Sequence, residues 1–241
     1  MQQEVGAGEL IANLSLGYIL LTAFILTIVR ISLAPIKSSL AKSLAELSES
    51  FVLAGILVFL IIRPFLLQAF YIPTESMETT LMGHDEGRST TGDIYKDTVH
   101  DHLFVDKLSF NLRSPRRGEI IVFRAPKRAD AEGGYTHENI LIKRLISAPG
   151  DTIEVRDGEV YVNGVQQNEP YIRDPMERYQ RSDANFGVGT PYKLKPDEYF
   201  MMGDNRNHSW DSRFWGPVTK DRIIGKASVI FWPFNRVRII R

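Results

Sequence analysis

From Leu10 to Val29 the chain runs for 20 positions without a charged side chain. A helix of that length crosses a hydrocarbon core of about 30 Å. Glu4 and Glu9 precede the run, whereas Arg30, Lys37 and Lys42 follow it. A cleavable export signal carries its basic residues first. This order instead predicts a permanent anchor, with the loop from Arg30 to Ser50 on the cytoplasmic side. A second uncharged run, Phe51 to Ile62, meets Arg63-Pro64 before the apolar stretch Phe65 to Ile72. A short helix in a soluble core would account for it. The expectation taken forward is a second span, with Arg63 reaching the outer headgroups. Two spans place everything after Ile72 outside the cytoplasm. Residues 1–50 are then a first transmembrane helix and cytoplasmic loop, and 51–71 a second transmembrane helix with its interfacial exit. Residues 72–241 form an extracytoplasmic domain.

That last region reads as mainly β. Leu103-Phe104-Val105, Ile120-Ile121-Val122-Phe123 and Ile140-Leu141-Ile142 are short apolar runs bounded by charges or turn-formers. Thr152 to Val155 and Val160 to Val162 alternate about Asp157-Gly158, a hairpin signal, and Asn163-Gly164 marks another turn. Val229 to Trp232 reads as a closing strand. The expected fold is an irregular antiparallel β-sheet domain after two N-terminal transmembrane helices. Two polar stretches, 83–100 and 126–138, read as inserted mobile surface loops. Lys plus Arg and Asp plus Glu both total 29, so no net basic field points to nucleic acid. Cysteine is absent, which excludes disulfides, Cys-ligated zinc and a thiol nucleophile.

Ser76 lies directly after the second apolar segment, in Ile72-Pro73-Thr74-Glu75-Ser76-Met77. A serine hydroxyl becomes a good nucleophile only when a base takes its proton. Among the five histidines, His100 and His102 flank Asp101 without an evident third metal ligand, and His84 and His137 fall in the expected loops. His208 sits in a polar turn of its own. Lysine serves as a base only when uncharged, and burial among apolar neighbours lowers its pKa. Lys143, flanked by Leu141, Ile142, Leu145 and Ile146, meets that condition. Its local pattern equally fits, and taken alone favours, a strand-edge lysine whose head reaches water. The cluster Gly203 to Arg213 is dense in hydrogen-bonding side chains, either a preorganised scaffold or a surface turn. Ser39-Leu40-Ala41-Lys42 matches S-x-x-K, but its S-D-N and K-T-G companions are missing, so the match is fortuitous.

Taken in order, four motifs carry a resemblance: Ile72-Pro73-x-x-Ser76-Met77-x-x-Thr80-Leu81, Arg117 to Phe123, Lys143-Arg144 leading to Pro149-Gly150-Asp151, and Gly203-Asp204-Asn205-Arg206 through Ser209, Asp211 and Arg213. From about Phe51 onward the chain resembles bacterial type I signal peptidase. The resemblance implies a membrane-bound serine endopeptidase of the bacterial plasma membrane that removes signal peptides from exported preproteins. It implies Ser76 as nucleophile and Lys143 as general base, without metal or organic cofactor. The Ser76 amide and the Thr74 hydroxyl would hold the oxyanion. Ser209 would hydrogen-bond and orient the lysine, with Asp211 and Arg213 as supporting polar residues. Phe70, Ile72, Met77, Leu81, Val122 and Ile142 would line shallow pockets that select Ala-x-Ala. The implied partners are preproteins emerging from the translocation machinery, and membrane lipid. Thr74, Thr79 and Ser147 depart from the Ser or Gly, Pro and Gly that the family usually carries there. The alternative is a membrane-anchored binding or assembly protein without catalysis on the same β scaffold.

Overall fold

The computed structural model describes residues 16–89, 92–127, 129, 139–177 and 186–240. It divides into two compact units, Met1–Gln68 and Ala69–Arg241.

The first unit is helical. Helix α1, Leu16–Leu33, ends at Ala34-Pro35, where proline cannot continue the backbone hydrogen bonding. Helix α2 starts at Ser39, runs to Ile56 and continues as wider π-helical turns over Leu57–Leu66. Proline has no N–H to donate at position 64, which fits a widened rather than regular path there. Two expectations are thereby corrected. Residues 39–50 are helix rather than open chain, because Leu40, Ala41, Leu44, Ala45 and Leu47 are strong helix formers spaced among the charges. The helical path continues through Arg63-Pro64 to Leu66. Residues 67–71, expected with the second helix and its interfacial exit, form a strand. Ser39–Leu60 is the one helix among the described residues long and apolar enough to cross a membrane. Gly17–Leu33 is apolar but shorter. Residues 10–15 of the expected first span lie outside the described residues.

The second unit is built on β-sheets, as its alternating runs predict. The strands are β1 Leu67–Tyr71, β2 Gly83–His84, β3 Gly87–Arg88, β4 Ile94–Tyr95, β5 Val99–His100, β6 His102–Asp106, β7 Ile120–Arg124 and β8 Ile140–Ser147. They continue with β9 Thr152–Arg156, β10 Glu159–Val162, β11 Val165–Gln166, β12 Tyr192–Lys193, β13 Glu198–Met202, β14 Val218–Thr219, β15 Ile223–Trp232 and β16 Arg238–Ile239. The main sheet has the order β1-β6-β15-β7-β8-β13-β14, with β16 beside β15, and a smaller one has the order β11-β10-β9-β12. Asp157 and Gly158 both adopt positive φ (53° and 81°), the backbone a tight β9–β10 turn needs, and Asn163-Gly164 repeats it before β11.

Three apolar clusters fill this unit. One joins Ile72, Met77 and Leu81 to Leu103, Val105, Ile120, Val122 and Ile230, so the segment after β1 is stitched into the main sheet. Another packs Phe123, Leu145 and Met201 against Phe214 and Trp215. The third lies between the two sheets' strands, with Ile146, Ile153, Val160 and Phe200.

The 83–100 stretch is not the open loop expected. It is two nested ladders, β2 on β5 and β3 on β4, and Gly83 and His84 are buried. The partners that fold it lie on other segments, which local sequence does not reveal. Most of 126–138 lies outside the described residues.

β15 is the longest strand and pairs with β6, β7 and β16. At its bulge, a Cβ on Gly225 would lie 2.5 Å from the Asp106 carbonyl oxygen and 2.8 Å from Val105 Cγ1. Gly225→Ala is therefore expected to destabilise the domain by about 1–3 kcal/mol through overpacking. The shift of its denaturant midpoint relative to the parent measures this.

Candidate active site

The nucleophile candidate sits where sheet gives way to an irregular return. After β1 the chain is clipped by the Ile72 amide to the Asp101 carbonyl (2.9 Å) and by the Asp101 amide to the Met82 carbonyl (2.9 Å). Between these clips, Glu75–Met77 makes a single 3₁₀ turn that buries Ser76 and Met77. Asn205 holds the turn twice, its amide donating to the Ser76 carbonyl (3.2 Å) and its Nδ2 to the Glu75 carbonyl (3.3 Å).

Strand register brings the other side of the site. β8 pairs with β7 through Lys143 opposite Ile121, and with β13 through Arg144 opposite Met202. Because β13 ends at Met202, Gly203 and Asp204 emerge beside the Lys143–Arg144 pair. A Cβ on Gly203 would lie 2.4 Å from the Ser76 carbonyl oxygen and 2.3 Å from Ser209 Oγ, so only glycine permits this approach.

Lys143 Nζ lies 2.6 Å from Ser76 Oγ. The lysine is 5 % exposed, which settles against the strand-edge alternative. Burial pushes its pKa down to about 8, against the upward pull of Asp211 and Asp204, with Arg213 adding to the downward shift. A pKa near 8 leaves about one amine in ten uncharged at pH 7. Thr74 Oγ1 is 3.4 Å from Ser76 Oγ.

The carboxylates near the amine are neutralised by arginines. Arg144 Nε and Nη2 donate to both oxygens of buried Asp204 (2.8 and 2.6 Å), which also accepts from the Thr80 hydroxyl. Arg213 Nε and Nη2 grip Asp211 at 2.8 Å each, and the Gly203 amide donates to Asp211 Oδ2 at 3.1 Å. Burial alone would raise the Asp211 pKa, but Arg213 and the amide hold it below the usual carboxylate range. Asp211 also caps α3, Ser212–Trp215, by accepting from the Arg213 amide.

The matches to known proteins agree with this geometry. The family model described as signal peptidase, peptidase S26, matches residues 44–232. The chain belongs to this family. It is 38 % identical over 195 residues to a probable signal peptidase I-2 of Synechocystis sp. (81 % of this chain, 76 % of that one). It is 40 % identical over 176 residues to a signal peptidase I of Leptolyngbya laminosa (73 % and 74 %). A signal peptidase I T of Bacillus subtilis is 32 % identical over 189 residues (78 % and 85 %). As a peptidase S26, the protein is a serine endopeptidase.

The other expected site residues of this S26 peptidase fall unevenly. The hydrogen bond expected from Ser209 to Lys143 is not made: Ser209 Oγ is buried against Gly203, while the amine points to Ser76. Phe70, Ile72, Met77, Leu81, Val122 and Ile142 do gather in one cluster, but four of them are sealed in its core. Phe70 and Ile142 alone of the six are only partly buried. Ser147, where the resemblance leads one to expect glycine, lies in β8 without positive φ and is unstrained. The histidines are otherwise engaged: His84 Nδ1 lies 2.6 Å from Glu78 Oε1, His100 contacts the Ile72 carbonyl and Asp85, and Tyr71 packs beside His102. His137 lies outside the described residues.

Sequence reasoning missed a second polar layer. Tyr171 lies under the Arg144 guanidinium (3.9 Å), and Glu169 accepts two hydrogen bonds from fully buried Arg206. Among the described residues one group, Glu75, Asp93 and His208, brings three ligand-type atoms within 4.8 Å of one another. The Arg173 guanidinium already lies 2.8 Å from Asp93 Oδ2 there.

The buried amine also sets a stability expectation. The folded pKa, about 8, is below the ordinary 10.5, so the unfolded chain holds the proton more tightly. The penalty is complete below pH 8 and fades as pH rises toward 10.5. Lys143→Met should therefore be more stable than the parent at pH 7, by at most about 3 kcal/mol. Guanidinium unfolding of both proteins at pH 7 and pH 10 measures the gap, which narrows at the higher pH.

Proposed function

We propose that this chain is a membrane-anchored type I signal peptidase acting through a Ser76/Lys143 dyad. The observation that carries this reading is the 2.6 Å approach of a buried, pKa-lowered amine to a buried hydroxyl. Neutral Lys143 takes the Ser76 proton as Oγ attacks the carbonyl carbon of the scissile bond. The tetrahedral oxyanion accepts from the Ser76 amide and from the Thr74 hydroxyl, which the extended backbone of Thr74 presents beside the turn. Removing one such donor typically costs about 100- to 1000-fold in rate. Lys143 then delivers its proton to the leaving amine and activates water to hydrolyse the acyl-enzyme. Asp211 and Arg213 act as supporting residues by fixing Gly203 against Ser76.

The substrates are preproteins cleaved after small residues of the Ala-x-Ala type. Support comes from the tightly filled cluster around Ile72, Met77, Leu81 and Val122, which leaves little room beside Phe70 and Ile142 for a large side chain. Helix Ser39–Leu60 supplies the anchor, with Gly17–Leu33 as the partner segment in the first unit. Lys37 between them, with Arg30 and Lys42 in the helix turns on either side, favours a cytoplasmic connection and an extracytoplasmic peptidase domain at the bacterial plasma membrane. Anchoring confines enzyme and signal peptide to one layer and raises their effective concentration.

Ser76→Ala and Lys143→Ala are each expected to abolish cleavage of a labelled preprotein while the domain stays folded. Near-normal cleavage by either variant would refute the dyad. Activity should also depend on pH in one direction. Below pH 8 the uncharged fraction of Lys143 falls about tenfold per unit, so single-turnover cleavage falls with it and levels off above pH 8. A flat profile between pH 5 and pH 9 would contradict a lysine base.

A further inference from the structure

The folded 83–100 segment closes directly on the residues that flank Ser76. A Cβ on Gly83 would lie 2.5 Å from the Thr74 carbonyl oxygen, so β2 packs on the backbone entering the nucleophile turn. From β4, the Tyr95 hydroxyl lies 2.9 Å from Glu75 Oε2 and 2.8 Å from Glu78 Oε2. Its ring stacks on His84 (centroids 3.8 Å, planes 10° apart), and His84 in turn reaches Glu78 Oε1. Arg173 closes the outside, Nη1 donating to the Tyr95 hydroxyl (2.9 Å) and pairing with Asp93 Oδ2 (2.8 Å). The Arg173 amide donates to the Asp204 carbonyl (3.1 Å), which ties this clasp to the loop bearing Asn205.

A phenol carries one proton, yet two carboxylates converge on this one. Glu78 is 2 % exposed, so its charge is largely withdrawn from water and depends on Tyr95, His84 and Arg173. Without the hydroxyl, Glu75 and Glu78 would face each other across the turn that carries Ser76. Like charges brought together in a poorly solvated site repel strongly. Asn205 holds only the inner side of the turn, by its backbone.

We propose that Tyr95 is a positioning residue for the reaction: its hydroxyl, backed by Arg173, joins Glu75 to Glu78 and fixes the turn so that Ser76 Oγ meets Lys143 Nζ. The inserted segment is thus a part of the catalytic apparatus that acts through Ser76 without touching substrate. The proposal rests on Ser76 being the nucleophile.

The test compares the full-length parent, Tyr95→Phe and Tyr95→Phe/Glu78→Gln, in detergent, on a labelled preprotein. Phenylalanine keeps the ring stack on His84 and removes the bridge. Misplacement by a fraction of an ångström is expected to lower kcat about tenfold with KM within about twofold, since a 1 Å error costs about 100-fold. Adding Glu78→Gln removes one of the facing charges and gives Glu75 an amide donor, so it should recover part of the lost kcat. Unchanged kcat in Tyr95→Phe, a loss confined to KM, or a kcat loss that the added Glu78→Gln leaves untouched would each overturn the proposal. If Tyr95→Phe does not fold, Arg173→Lys, which loosens the clasp from outside, must show the same kcat-specific loss; unchanged kcat there overturns it. Ser76→Ala separates the two readings. An active Ser76→Ala enzyme refutes the nucleophile assignment, whereas an inactive one beside a fully active Tyr95→Phe refutes the clasp alone.

Discussion

The burial of one lysine amine is the constraint that orders the site. An ammonium needs water or a counter-charge, and Lys143 is given neither freely. Asp211 and Asp204 pull its pKa upward, but each is already gripped by an arginine through paired hydrogen bonds. A carboxylate committed to a guanidinium presents little net charge to a third group, so burial prevails and the amine is held near pH 8. The two arginine–carboxylate pairs therefore do more than brace loops. They let acidic residues organise the backbone around Ser76 without holding the amine in its charged form.

The Arg144–Asp204 pair depends on strand register. Arg144 follows Lys143 in β8, and its opposition to Met202 delivers Asp204 to the guanidinium at the first turn beyond β13. The bulge between Phe200 and Met201 falls in the same pairing. Breaking a buried ion pair of this kind by removing one partner costs about 3–5 kcal/mol. Loss of either member would act on the sheet and on the amine together.

How much of this the sequence discloses follows from the range of each interaction. The turns at Asp157-Gly158 and Asn163-Gly164 are local, since positive φ is a property of the residues themselves, and both appear where their pattern predicts. Ser76 and Lys143 are 67 residues apart. Nothing local pairs them, and the order of the motifs, by its resemblance to a family, did so. Arg144 with Asp204 spans 60 residues, and the clasp on Glu75 and Glu78 is closed by an Arg173–Tyr95 bond that spans 78. Two-residue ladders such as β2–β5 leave no alternating pattern, so a folded element reads as a polar loop. The helix start at Ser39 is hidden for another reason: Arg30, Lys37 and Lys42 bear on which side of a membrane the connection lies, not on its backbone, and charge is compatible with one face of a helix.

The two faces of the turn that carries Ser76 show why the 83–100 segment matters to the proposed dyad. On the inner face Asn205 binds main-chain carbonyls, contacts indifferent to which side chains flank Ser76. On the outer face Glu75 and Glu78 are acidic, and a 3₁₀ turn of three residues has too few hydrogen bonds to resist their repulsion. Such a turn is stable only if something shares or cancels that charge. Tyr95, His84 and Arg173 supply the partners, and two of the three come from the segment between β2 and β5. Acidic residues beside Ser76 and a folded polar segment at 83–100 are thus two halves of one arrangement, each costly alone.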